Sequence, residues 1–189
     1  DPIFIRVFKE SSQLELWMQP EGIEEFILYK TYPICKWSGD LGPKTQRGDG
    51  QTPEGFYWVT RRHLHPNSSF HLAFNIGYPN RYDKHHKRTG DFIMVHGACV
   101  SIGCFAMTDE GIEEIYTLAN AAINGGQKFF RVHSFPFRMT DSRMNREFTD
   151  KSKHIEFWGN LKLGYDYFDI TRQPPNVTVS DGKYVFEEN

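Results

Sequence analysis

Between Asp91 and Gly126 the hydrophobic period of the chain changes within a few residues, and few folds accommodate that change. The run Phe92-Ile93-Met94-Val95 has the length and composition of a buried strand, and His96-Gly97 ends it. Ser101-Ile102-Gly103-Cys104 follows at once. Thr108-Asp109-Glu110 then opens a helix, with a capping side chain and acids in its first turn. Ile112, Ile115, Tyr116, Ala119, Ala122 and Ile123 recur at helical spacing, and Asn124-Gly125-Gly126 stops the pattern. A strand must therefore pass into a helix through a short connection that carries one histidine and one cysteine.

Cysteine chemistry needs such a pair. The thiolate is the nucleophile, an imidazole takes and returns its proton, and backbone N–H groups face the developing oxyanion. Gly97 and Gly103 allow a sharp bend and a close approach of backbone to substrate. The nearby helix N-terminus favours a thiolate or an oxyanion. The competing reading is a buried thiol beside a core histidine, since cysteine is among the most buried residue types.

The 189 residues fit one domain, expected to span 1–189 with a helical extension over about 142–170. A net charge of −2 gives no electrostatic case for nucleic acid or an acidic membrane surface. No apolar run approaches the length of a transmembrane helix. The chain begins at Asp1 rather than Met, and an upstream segment is expected to have been removed. Cys35, Cys99 and Cys104 make an odd count, so in an oxidising compartment one of them is unpaired or bonded to another chain.

The first third of the chain reads as strands: Ile3–Phe8 and Leu14–Met18 as a hairpin, then Phe26–Tyr29. Residues 38–54 are rich in glycine, proline and charge and form a long surface loop, of a length more often functional than idle. Gly55–Val59 and Phe70–Phe74 are further strands, separated from the central stretch by a second polar loop over 77–90. Phe129–His133 is one more strand. Residues 142–168 read as mostly helical, with Ile155, Trp158, Leu161, Tyr165 and Phe168 on one stripe and Gly159 and Gly164 weakening it. The last dozen residues read as an extended tail.

Three pieces together carry a resemblance: Thr52-Pro53-Glu54-Gly55-Phe56-Tyr57, His96-Gly97 and Ser101-Ile102-Gly103-Cys104. This pattern resembles the L,D-transpeptidase catalytic domain (YkuD) family. The segments Tyr32–Lys44, Val95–Asp109 and Phe157–Phe168 look like its YafK-like branch. The resemblance implies a mainly β fold with added helices (α+β), in which two mixed sheets form a sandwich or barrel around the active site. It implies action on peptidoglycan stem peptides containing meso-diaminopimelate in the periplasm or cell envelope, with no cofactor or metal. Cys104 would be acylated, His96 would be the base, the Gly97 carbonyl would orient the imidazole, and the N–H groups of Gly103 and Cys104 would hold the oxyanion. The branch points to amide hydrolysis that releases a peptidoglycan-linked lipoprotein; transfer to an amine, forming cross-links or attaching lipoprotein, is the alternative. The chain departs from the wider family in two ways. Cys104 follows His96 by only eight positions, and Ile102 and Ala106 stand where most members carry a histidine and a polar residue.

A stem peptide offers carboxylates, so cationic partners are expected near the cleft. Arg131, Arg138, Lys44 and Arg47 are the candidates, with Ser101 and His133 as further substrate-binding residues. Two other functions compete. His63, His65, His71, His85 and His86 could supply metal ligands. Trp37, Tyr57, Trp58 and Tyr78 could form a sugar platform in a non-catalytic wall-binding module. For the thiols, Cys104 is expected free, with Cys35 and Cys99 either bonded to each other or both buried and inert; three reduced, packed thiols are the alternative.

Overall fold

A computed structural model of the protein describes residues 1–187. The first hairpin forms as its alternation requires, with β1 (Ile3–Phe8) antiparallel to β2 (Gln13–Met18). β2 continues to β3 (Ile27–Pro33), while β9 (Phe129–Phe135) runs parallel to β1 and pairs on its far side with β4 (Gly55–Thr60). The five-stranded order is thus β3-β2-β1-β9-β4. A second, four-stranded sheet contains β5 (Leu64–Ser68), β6 (His71–Asn75), β7 (Met94–His96) and β8 (Phe105–Ala106), in that order. Both sheets mix parallel and antiparallel pairs, because β7 and β8 are parallel.

β1 is buried along its whole length because both faces of the larger sheet are covered. Ile3, Ile5 and Val7, with Tyr57, Val59, Phe130 and Val132, face the core shared with the second sheet. Helix α2 (Asp109–Asn124) closes that core with Ile112, Ile115, Tyr116, Ala119, Ala122 and Ile123. On the opposite face Phe8, Phe56 and Phe135 meet Trp158, Leu161 and Tyr165 of α4 (Ile155–Thr171). Each such side chain contributes about 1.5–3 kcal/mol when removed from water. Arg6, on the same face as Phe8, lies 4.3 Å from the Tyr165 ring centroid and 2.8 Å from Asp169, tying α4 to β1.

The buried ammonium of Lys9 fixes the long loop. Its Nζ lies 2.9 Å from Glu54 Oε1 and donates to the carbonyls of Asp40, Gly42 and Thr52 at 2.8 to 3.0 Å. Glu54 also accepts from the Gly42 N–H at 2.6 Å and from Trp158 Nε1 at 2.8 Å. Both charges are fully buried and each is surrounded by partners, the condition under which a buried pair is tolerated. Residues 38–54, free of helix and regular strand as the composition predicts, are therefore held at both ends.

Several expected boundaries move. The strand predicted over 92–95 is β7, shifted to Met94–His96; Phe92 has φ 52° and is 67% exposed. The loop over 77–90 contains a short helix, α1 (Arg81–His85), capped by Asn80. The helical region divides into α3 (Asp141–Thr149) and α4, and α4 runs unbroken through both glycines. The expected extended tail is a hairpin, β10 (Asn176–Ser180) and β11 (Lys183–Glu187), with Tyr184 and Phe186 packed on Phe56. Residues 188 and 189 of that tail lie outside the described residues. No helix among the described residues is long and apolar enough to cross a membrane.

Candidate active site

Strand parity brings the histidine and the cysteine together. β7 and β8 pair with Val95 opposite Phe105 and His96 opposite Ala106. Val95 and Phe105 are fully buried and point into the core. Met94 and His96 therefore face the other way, and Cys104, one residue before β8, falls on that same face at the level of Met94. The Met94 N–H donates to Cys104 Sγ at 3.4 Å, and the thiol donates to the Phe92 carbonyl at 3.6 Å. All of these groups open into one cleft of about 990 Å³.

His96 is 3% exposed, and its Nδ1 lies 2.6 Å from the Gly97 carbonyl. A carbonyl only accepts, so Nδ1 carries the proton and Nε2 keeps its lone pair. The Phe70 ring covers the imidazole at 4.9 Å between centroids, and the Phe70 carbonyl accepts the Gly97 N–H at 3.0 Å. Burial lowers the pKa of His96, opposed by its bond to Gly97. Burial raises that of Cys104, opposed by the Met94 N–H and the charge of Lys44. Both shifts favour the uncharged forms, imidazole and thiol, over a thiolate–imidazolium pair.

The turn into Cys104 is built by Ser101. Its hydroxyl donates to the Cys104 carbonyl at 2.7 Å and accepts the Gly103 N–H at 3.2 Å. Gly103 has φ 133°, a conformation only glycine adopts without strain. Upstream, Ala98 and Cys99 both occupy the left-handed region, at 63° and 50°. A disulfide from Cys99 to Cys35 holds that strained step, while Cys104 is free. Exposed Phe92, Val100 and Ile102 form an apolar rim around the cleft.

The other expected site residues separate into two groups. Lys44, Arg47 and Ser101 line the cleft with His96 and Cys104. Arg131, His133 and Arg138 are not brought to it. Arg131 and His133 project from the face of β9 turned towards α4 and the β10–β11 hairpin, where they line a different cavity of about 510 Å³. His133 is 1% exposed between the rings of Phe4 and Phe56, and neither ring nitrogen has a hydrogen-bond partner. Arg138 pairs with Glu15 at 2.7 Å and lies over Phe8. Phe70, the Met94 N–H and the Phe92 carbonyl complete the site without a sequence signal, because a backbone group has none and Phe70 reads only as a strand residue.

The competing ligand sets are also dispersed. His63 accepts the Thr60 N–H, His71 meets Glu113 at 2.7 Å and His86 meets the Gly182 carbonyl at 2.8 Å. Among the described residues no three histidine, cysteine or acidic side chains stand together as a metal site. Of the aromatic platform, Tyr57 and Tyr78 are core residues and Trp37 packs against the core, leaving only Trp58 exposed.

The family model described as the L,D-transpeptidase catalytic domain (YkuD) matches residues 5–123, a span that contains every residue of this cleft. The chain belongs to that family. It is 48% identical over 184 residues to the Escherichia coli K12 protein named "Putative L,D-transpeptidase YafK", covering 97% of this chain and 73% of the relative, with the same figures for the protein of that name in strain O157:H7. Among solved structures it resembles the helical cell shape determining protein Pgp2 from Campylobacter jejuni. That likeness has a TM-score of 0.57 at 20% identity, spans 95% of this chain and 73% of that one, and concerns the fold. The mixed α+β architecture, with three sheets among the described residues, is that of this L,D-transpeptidase-like fold. Membership of the family implies a peptidoglycan substrate.

Proposed function

We propose that this protein is a cysteine-dependent peptidoglycan enzyme that hydrolyses an amide on the meso-diaminopimelate residue of a stem peptide, releasing a covalently attached lipoprotein. The observation that supports it most is the juxtaposition of His96 and Cys104 on one face of paired strands, with Nδ1 occupied by Gly97. His96 Nε2 accepts the thiol proton as Sγ attacks the amide carbonyl. The oxyanion is held by the Cys104 N–H, the Gly103 N–H being already engaged by Ser101. His96 returns the proton to the leaving amine, leaving a thioester on Cys104. Water, deprotonated by the same imidazole, then attacks the thioester, and the products are a free carboxylate and the restored thiol.

The whole chain acts as one catalytic unit in this reading, since β9 lies between β1 and β4 and α4 packs on the same sheet. The Cys35–Cys99 disulfide supports a place in an oxidising envelope compartment. Mass spectrometry of products tests the reaction. Purified muropeptides carrying a lipoprotein-derived lysine should lose it and gain one water. Transfer of the stem peptide to an added amine, with no hydrolysis, would reassign the enzyme as a transpeptidase.

A further inference from the structure

We infer that Lys36 holds the second carboxylate of the diaminopimelate residue while Cys104 attacks at the first. The inference rests on the stem-peptide reading above and adds a recognition residue to it. Lys36 and Ala106 form an isolated antiparallel bridge: the Lys36 N–H donates to the Ala106 carbonyl at 3.1 Å and the Ala106 N–H to the Lys36 carbonyl at 2.8 Å. Ala106 is also the register partner of His96. His96, Ala106 and Lys36 therefore form one row across three neighbouring segments, and His96 and Lys36 of that row line the cleft. Cys104 lies on that face two residues before Ala106, a diagonal neighbour of Lys36 at about 7–8 Å between backbones. The four-carbon stem of a lysine spans such a gap, and Lys36 lines the cleft together with Cys104.

Charge bookkeeping singles out the same residue. Three cations line the cleft near the nucleophile: Lys36, Lys44 and Arg47. Lys44 is buried and paired with Asp49, and Arg47 reaches Asp91 at 2.8 Å. Lys36 is exposed and makes no ion pair among the described residues. Its backbone, by contrast, is held twice, by the bridge to Ala106 and by the disulfide of the adjacent Cys35 to Cys99. An immobilised backbone carrying an unpaired ammonium into a cleft is arranged to meet an anion from outside the chain. Diaminopimelate supplies one, because only one of its two carboxyl groups can be the acyl group.

Two measurements test this, one independent of the natural substrate. The first compares alkylation of Cys104 by iodoacetate, an anion, and by iodoacetamide, its neutral analogue. The iodoacetate-to-iodoacetamide rate ratio should fall about threefold in Lys36→Met, the size of an exposed ion pair, and be retained in Lys36→Arg. The second compares kcat/KM for a diaminopimelate stem peptide and for the same peptide with its second carboxylate amidated. The preference for the carboxylate form should fall roughly tenfold in Lys36→Met, with the loss in KM and rescue by Lys36→Arg. An unchanged alkylation ratio, or an unchanged preference, overturns the assignment. If the wild-type protein turns over neither peptide, the stem-peptide reading fails and the alkylation ratio alone decides whether Lys36 holds an anion beside Cys104.

Discussion

Cys35 is bonded to Cys99, across 64 residues of sequence and 5.3 Å between Cα atoms. The bond joins the segment paired with β8 to the loop between His96 and Cys104, and it withholds the two thiols that an oxidant could otherwise join to the third. Closing a loop of that length restricts the unfolded chain by about 4 kcal/mol in the chain-entropy account. The Cys35→Ser, Cys99→Ser double variant should therefore unfold at markedly lower urea concentration and show reduced kcat/KM. Alkylation of the unreduced wild-type protein should label Cys104 alone. Labelling of Cys99 at a comparable rate would contradict the pairing.

The directions of the two shifts at His96 and Cys104 carry a pH signature. Burial lowers the pKa of His96 and raises that of Cys104. With His96 depressed, its basic form persists as pH falls, so kcat/KM should hold through pH 6.5 and drop only below the ordinary histidine value of about 6.5. Alkylation of Cys104 by iodoacetamide should climb steeply with pH, through an apparent pKa above the ordinary thiol value of about 8.5. A rate that stays flat from pH 5 to 8 would mean a preformed thiolate–imidazolium pair instead.

His133 contributes to stability rather than to the cleft. Its imidazole is fully buried, and burial, reinforced by the charges of Arg131 and Arg6, pushes its pKa well below the usual range. The folded state thus refuses a proton that the unfolded state accepts once pH falls below about 6.5. Stability is intact above that pH and declines below it, at up to about 1.4 kcal/mol per pH unit for this one group. His133→Phe should match or exceed wild-type stability at pH 7.5 and show a shallower decline between pH 6.5 and 5 in urea titrations. An undiminished slope in the variant would assign the acid sensitivity to other groups.

Much of this was legible from residue pattern. The first hairpin, α2 and the apolar stripe of α4 follow from period alone, since each buries one well-defined face. Gly164 obscures α4 because its role is tertiary: a Cβ there would collide with the rings of Phe186 and Phe56. The C-terminal hairpin has no comparable signal because its strands are short and half-buried, and their packing on α4 and β4 stabilises them. In the site, the motif located His96, Cys104 and Ser101, and charge located Lys44 and Arg47. Arg131 and His133 lie near in sequence but on the wrong parity of β9, a distinction that depends on which face of the sheet meets which layer. Lys36 gave no local signal at all; its place comes from a cross-strand register.

The central claim is that Cys104 carries the acyl group, and intact-protein mass spectrometry tests it most directly. The protein is mixed with a diaminopimelate stem peptide, quenched in acid during turnover, and digested for peptide mapping. The account predicts a transient mass increase equal to the acyl portion of the peptide, located on Cys104. It should be absent from a folded Cys104→Ala protein that turns over no substrate, and slow to form in His96→Ala. Turnover by Cys104→Ala, or an adduct on any other residue, would contradict it.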